Sequence, residues 1–362
     1  MLIGIEAAHA AKDKRTGVEE YCWQIIQGLK KQLPRELGVV LYSHQELAGE
    51  LGVMPPNWQI KVLRWPLKKM WSQLRLSWEF LFHPPDIFFA PGQLIPFFCP
   101  KNTVVMIHDS AFLAVPTAYR FWGRQYLKWM NRRIVKVAKI IITSSEFNKK
   151  ELLKYYKISP EKVKVIPLAY DEKKYFRQEA GEEVLKKYGL TKPFIMSVGR
   201  LEEKKNTRRI IEAFNLIKIS RDTQLLLVGQ PGAGYEQVAE ALQASPYKND
   251  IILPGYVPDV PKLLNLTECF LFPSLYEGFG LPILEAFGCG ASVVVSGGGA
   301  LQEVGGGAAL YVNPESVEEI AGAVLKILND KDLKERQMAL GLERVKNFSW
   351  EKTAAATARI LL

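Results

Sequence analysis

Between residues 194 and 312 the chain repeats one pattern six times: a short apolar run suited to a buried strand, then a stretch that in most cases spaces its apolar residues as a helix does. The runs fall at 194–198, 224–228, 250–253, 269–272, 292–295 and 309–312, and residues 207–219, 235–243 and 317–328 read as helices. Strands that lie parallel need a crossover between them, and helices provide it while covering the sheet faces. One Rossmann-like domain is the expected product. The first half repeats the theme less regularly, with strand candidates at 2–6, 39–42, 60–63, 87–89, 103–107, 140–143 and 164–166 and helices at 19–31, 124–138 and 146–156. The polar segment 167–174 reads as a linker, giving domains at 1–170 and 171–345, with 346–362 a helix that returns to the first domain. The expected fold class is α/β, two Rossmann-like parallel-sheet domains whose strand C-terminal ends face an interdomain cleft.

Residues 274–290, SLYEGFGLPILEAFGCG, place two carboxylates, Glu277 and Glu285, around an expected helix start. Pro273 ends the preceding strand, Gly278-Phe279-Gly280 turns the chain, and Pro282 suits a first helical turn. A helix start offers unpaired N–H groups and partial positive charge, which suit a phosphate, and glycines let it approach the backbone. Carboxylates repel phosphate but accept hydrogen bonds from hydroxyls, so Glu277 and Glu285 fit the ribose and sugar of a nucleotide-sugar. Taken singly, Glu285 in the first turn could merely complement the helix dipole and Glu277 could be a solvated loop acid.

The 362 residues, 48% hydrophobic, can bury a large core. No apolar run reaches the 18 or more residues of a spanning helix, and the first strand leads into polar sequence without a signal-peptide pattern, so a cytoplasmic location is expected. Cys22, Cys99, Cys269 and Cys289 lack metal-ligand spacing and read as reduced thiols. The net charge of +10 is uneven: residues 1–180 carry 28 Lys and Arg against 16 Asp and Glu, and residues 181–362 carry 20 against 22. Basic and aromatic residues interleave at 61–71 and 119–129, a composition suited to an anionic membrane surface; the ordinary alternative packs the aromatics inward behind a solvated basic face. Nucleic-acid binding has no supporting motif.

In order along the chain come IGIEA, RTGVEEY, IHDSAFLAVP, ITSSEFNKKELL, SVGRLEEKKN, LLLVG and EGFGLPILEAFGCG. Together they resemble the family-four glycosyltransferases of the two-Rossmann-domain type, over almost the whole chain. The resemblance implies a retaining enzyme that moves a sugar from a nucleotide donor to an acceptor without a metal or other cofactor, with the donor held by the second domain and the acceptor by the first. It implies that Glu285 binds ribose hydroxyls, that Glu277 contacts the transferred sugar, and that the backbone of Phe279, Gly280 and Leu281 lines the phosphate or sugar pocket. Arg200 and Lys205 follow a strand and Gly199, where their cations can stabilise a leaving phosphate. His108 at the end of strand 103–107 matches a family histidine with sugar or acceptor contact, and Asp109 either orients it or ends the strand. Gly17, before Val18, resembles the family turn that closes on donor phosphates, although a helix cap is an ordinary use for it. GDP-mannose is the favoured donor at family level, and the basic aromatic half makes a polyprenyl-linked saccharide an attractive acceptor beside a soluble one.

The glycine triplet 297–299 replaces the serine-rich turn of many relatives and implies a looser loop. Asp330-Lys331-Asp332 spells a metal-binding Asp-x-Asp but follows a helical stretch, where capping explains it better. Two other functions stay open on sequence alone. The glycines at 229–234 follow a strand as in NAD-dependent oxidoreductases, without the G-x-G-x-x-G spacing. The basic first half could also serve a non-enzymatic membrane or nucleic-acid adaptor.

Overall fold

The computed structural model describes residues 1–12, 15–67, 70–179 and 181–362. The chain divides into two compact units. The first contains Met1–Ser110, Trp122–Ala169 and Ser349–Leu362; the second contains Ala111–Phe121 and Tyr170–Phe348.

The first unit is built on seven parallel strands, β1 (Leu2–Glu6), β2 (Gly38–Ser43), β3 (Trp58–Val62), β4 (Ile87–Ala90), β5 (Asn102–Ile107), β6 (Ile140–Thr143) and β7 (Val163–Val165), in the order β3-β2-β1-β4-β5-β6-β7. Order reverses between β1 and β4, which pair directly. Such a reversal opens a crevice at the strand C-terminal ends, where open α/β sheets take ligands. The central strands are mostly apolar and buried, as strands covered by helices on both faces are, with Glu6 the buried acid at the end of β1. The last helix, Trp350–Leu361, packs on Gly17–Gln32 at a contact so close that a Cβ on Gly28 would lie 2.4 Å from that of Ala354.

The second unit carries β8 (Phe194–Val198), β9 (Gln224–Val228), β10 (Ile251–Gly255), β11 (Cys269–Phe272), β12 (Val293–Ser296) and β13 (Leu310–Val312), in the order β10-β9-β8-β11-β12-β13. Its reversal lies between β8 and β11. Helices Thr207–Lys218 and Val317–Asn329 bury Ile211, Phe214, Ile320 and Val324 against one face.

Several elements differ from expectation in instructive ways. Strand β10 runs on through Pro254 to Gly255, with a register irregularity after Ile252, because Pro254 lies on an edge strand where its missing N–H costs no ladder bond. The stretch Trp71–Phe82, whose first residue closes one basic-aromatic segment, is a π-helical turn continued by an α-helix. Trp71 packs inward there, its indole N–H donating to Leu63 O at 2.7 Å. The glycine triplet is not an open loop: helix Gly299–Gly305 starts directly after Gly298. Asp330 caps helix Lys331–Arg344, accepting the Leu333 N–H at 2.9 Å. The thiols of Cys22, Cys269 and Cys289 are buried and unpaired.

Candidate functional site

In the second unit the chemistry collects where β8 and β11 end side by side. Strand β8 runs into Gly199, whose φ of +150° is open to glycine, and then Arg200. The following turn ends at Asn206, a left-handed residue with φ +60° whose buried amide donates to Pro273 O at 3.0 Å and Pro314 O at 2.6 Å. Leu275 N–H adds a bond to Lys204 O at 2.9 Å. These ties fasten the loop after β8 to the loop after β11. Lys205 is thereby set 2.5 Å from Glu277, with its ammonium 4.7 Å from the centre of the Phe272 ring. Both partners are largely buried, so the pair is only weakly screened by solvent. Arg200, which follows Gly199, is exposed.

Helix Leu281–Gly288 begins at Gly280, whose φ of +106° no other residue adopts comfortably and whose Cβ would meet Leu301 at 2.6 Å. Phe279 is buried against Phe348, and Leu281 is the first helical residue. Because the helix starts at Leu281, ahead of Pro282, Glu285 is its fifth residue and lies just past the first turn in which it was expected. That position removes the simple dipole-capping explanation for its charge. Sequence reasoning missed Asn206; its signal was an Asn directly before a helix, following the Lys-rich turn.

The glycines after β9 serve packing. A Cβ on Gly229 would lie 1.8 Å from Gly199 O, so its bare backbone is what lets the tips of β8 and β9 meet. A groove of ≈ 760 Å³ lined by Arg177, Glu268 and Lys334 lies at the opposite end of the strands, where Glu268 precedes β11. Its Lys334–Glu268 pair is satisfied internally.

In the first unit, His108 follows β5 and is held by three bonds. Its N–H donates to Gln93 Oε1 at 3.0 Å, its carbonyl accepts from the Asn148 amide at 2.7 Å, and its Nε2 lies 2.8 Å from Pro91 O. A carbonyl can only accept, so Nε2 carries the proton and Nδ1 keeps a lone pair. Burial pushes the imidazole down to about 4, so it is neutral at ordinary pH. Tyr21 meets the ring edge-on at 5.0 Å. Asp109 follows, half-buried. Gly17 opens helix Gly17–Gln32 as its first residue; the cap is Thr16, so Gly17 is not itself the cap. Glu19 accepts the Thr16 N–H at 3.2 Å and pairs with Lys12 at 2.6 Å. Burial alone would raise its carboxyl, but the Lys12 and Thr16 bonds hold it at about 2.

Among the described residues no group of three or more His, Cys, Asp or Glu comes together as a metal site, and no helix is long and apolar enough to cross a membrane. Residues 15–174 match the Glycosyltransferase Family 4 and residues 182–341 match the Glycosyl transferases group 1. The chain is 30% identical over 322 residues to the O-antigen chain mannosyltransferase B of Escherichia coli, covering 87% of this chain and 82% of that protein. Its fold matches a sucrose-phosphate synthase from Thermosynechococcus elongatus with a TM-score of 0.78 at 18% identity, over 99% of this chain and 98% of that one. It also matches Anabaena HepE in complex with UDP-glucose, with a TM-score of 0.75 at 16% identity, over 100% and 99% of the two chains. The chain is an enzyme of the family-four glycosyltransferases, with the two-Rossmann-domain GT-B fold.

Proposed function

We propose that this enzyme transfers mannose from GDP-mannose to a saccharide or polyprenyl-linked saccharide during synthesis of a cell-surface glycan. The observation that carries the reading is the Lys205–Glu277 pair at the β8/β11 reversal, together with the exposed Arg200 and the glycine-started helix at Leu281. In this reading the second unit holds the donor. Its pyrophosphate takes the cations of Arg200 and Lys205, and the backbone of Phe279, Gly280 and Leu281 lies along the phosphate or sugar. Glu285 accepts from the ribose hydroxyls, and Glu277 contacts the transferred sugar. The likeness to a mannosyltransferase supports the choice of sugar.

The chemistry proposed is retaining. The bond from the anomeric carbon to the phosphate oxygen breaks, the acceptor oxygen bonds to the same face, and its proton passes to the departing phosphate. Arg200 and Lys205 balance the charge on that phosphate, so no metal is required. His108, neutral and fixed, contacts sugar or acceptor in the first unit with Asp109 beside it, and Gly17 belongs to the turn that meets the donor phosphates. A thermal-shift screen against UDP, GDP, ADP and dTDP, then their sugar conjugates, tests the donor; GDP and GDP-mannose should raise the midpoint most. A larger response to another nucleotide would replace the donor assignment.

We place the reaction at the inner, anionic surface of the cytoplasmic membrane, with the first unit making the contact. From residue 122 to 145, within the first unit, the sequence carries six Lys and Arg and no carboxylate. Helix Phe121–Val137 exposes Trp122 at 82% and also Trp129. Trp129 meets Phe97, whose N–H bonds Ser77, and the helix containing Ser77 exposes Trp78 at 62% together with Phe82. Aromatics flanked by cations suit the headgroup layer. Sedimentation with vesicles should rise with anionic phosphatidylglycerol and fall with salt. Binding indifferent to both would remove the membrane from the account.

A further inference from the structure

We infer that His9, held by the buried Glu6, is a hydroxyl-binding group for the acceptor saccharide. The inference rests on the reading that the first unit receives the acceptor. Glu6 ends β1 and is 0% exposed. One carboxylate oxygen accepts the Ala8 N–H at 2.8 Å; the other lies 3.1 Å from His9 Nδ1. A carboxylate there fixes the tautomer with the proton on Nδ1, leaving the lone pair on Nε2 of a side chain that is 20% exposed.

The ring is also clamped. It lies against Gly92, where an added Cβ would be 2.4 Å from His9 Nδ1, so the loop after β4 must be bare at that point. The same loop holds His108 through Pro91 O and Gln93 Oε1, with Gln93 itself left-handed at φ +62°. Loops after β1, β4 and β5, neighbours in the sheet, therefore orient two imidazoles at the reversal where α/β sheets take ligands. His108 keeps its lone pair on Nδ1 and neutral His9 keeps one on Nε2. Two fixed hydrogen-bond acceptors suit a polyol, whose hydroxyls donate, and the nearby carboxylates Glu6 and Glu19 disfavour an anion.

The groups acting on His9 are Glu6 and Glu19, which favour its charge, and Lys12, which opposes it; the buried thiol of Cys22 lies within reach of the same carboxylates, and His108 lies close enough to be affected by His9. Glu6 is the strongest of the influences on His9 and raises it above the usual histidine range. Protonated His9 cannot accept a hydroxyl proton, so acceptor binding should weaken as the pH falls through that raised value.

The full chain labelled with 15N-histidine is titrated with methyl α-mannoside as the acceptor probe, and the His9 signals are assigned by loss in His9→Gln. We expect the His9 Nε2 resonance to move and saturate. His9→Ala should raise the KM for the probe about tenfold, with GDP binding unchanged. His9→Gln, whose amide oxygen reaches the Nε2 position, should retain most of the affinity, and Glu6→Gln should move the acidic limb of probe binding to lower pH. A His9 resonance that ignores the probe in a protein that binds GDP, or a His9→Ala enzyme with unchanged probe KM, overturns the inference and leaves Glu6–His9 a structural pair. Failure to bind any nucleotide would instead sink the transferase site in the second unit, which these His9 signals do not report.

Discussion

At the β8/β11 reversal of the second unit a lysine meets a glutamate, whereas at the β1/β4 reversal of the first unit a histidine meets one. In the proposed reading Lys205 offers a cation suited to a pyrophosphate, and Glu277 an acceptor suited to a sugar hydroxyl. The Glu6–His9 and His108 constellation offers lone pairs whose availability depends on protonation, suited to neutral hydroxyls. The two parallel sheets thus differ in which residues follow the strands at the reversal.

The largest expected effect comes from the fixed-charge side. Lys205→Met should lower kcat by roughly 10²- to 10³-fold, the scale seen when one stabiliser of developing charge is removed. Arg200→Ala, at an exposed position, should slow transfer less. A Lys205→Met enzyme affected no more than Arg200→Ala would erase the distinction between the two cations. Asn206→Ala leaves two carbonyls without their amide donor and should cost about 2–3 kcal/mol in denaturant unfolding, while also loosening the Lys205 loop. Glu285→Ala should weaken nucleotide-donor binding about tenfold, read by calorimetry.

The smallest effects sharpen the titrating side. His108 has its folded-state value depressed below the unfolded one, so the unfolded chain binds the extra proton. Its contribution to stability is intact above about 6.5 and is lost as the pH falls toward about 4. His9 is raised, so its contribution is full below the unfolded value and lost as the pH rises through the folded one. His108→Gln should flatten the acid limb of unfolding free energy by about 1 kcal/mol between pH 6.5 and 5. His9→Gln should change the curve in the opposite sense, on its alkaline side. Like-signed changes from both would break the contrast.

Much of the sheet was legible because strands such as β8, β9 and β11 are buried on both faces and written as continuous apolar runs. The carboxylates at 277 and 285 were legible as a motif for a similar reason: strand, glycine turn and helix lie within one short segment. The meeting of Lys205 with Glu277 was not, since it spans 72 residues and depends on β8 pairing with β11, a choice of strand order that local pattern does not encode. His9 was invisible as a lone histidine among alanines. Its signal lay in the three-residue spacing from an acid at the end of a buried strand. The two basic-aromatic stretches looked alike in sequence yet part company in the fold, Trp71 turning inward and Trp122 outward. Composition reports how much aromatic surface exists, and packing decides which side of the backbone it takes.

In the proposed reading the β8/β11 reversal holds the donor and Lys205 stabilises its departing phosphate. Turnover of the nucleotide-sugar selected by thermal shift, measured in EDTA for the unmodified enzyme and Lys205→Met, tests it most directly. The unmodified enzyme should transfer sugar despite the chelator, and a Lys205→Met variant that still folds should show a kcat lower by roughly two orders of magnitude or more. Equal turnover by the two proteins would contradict it.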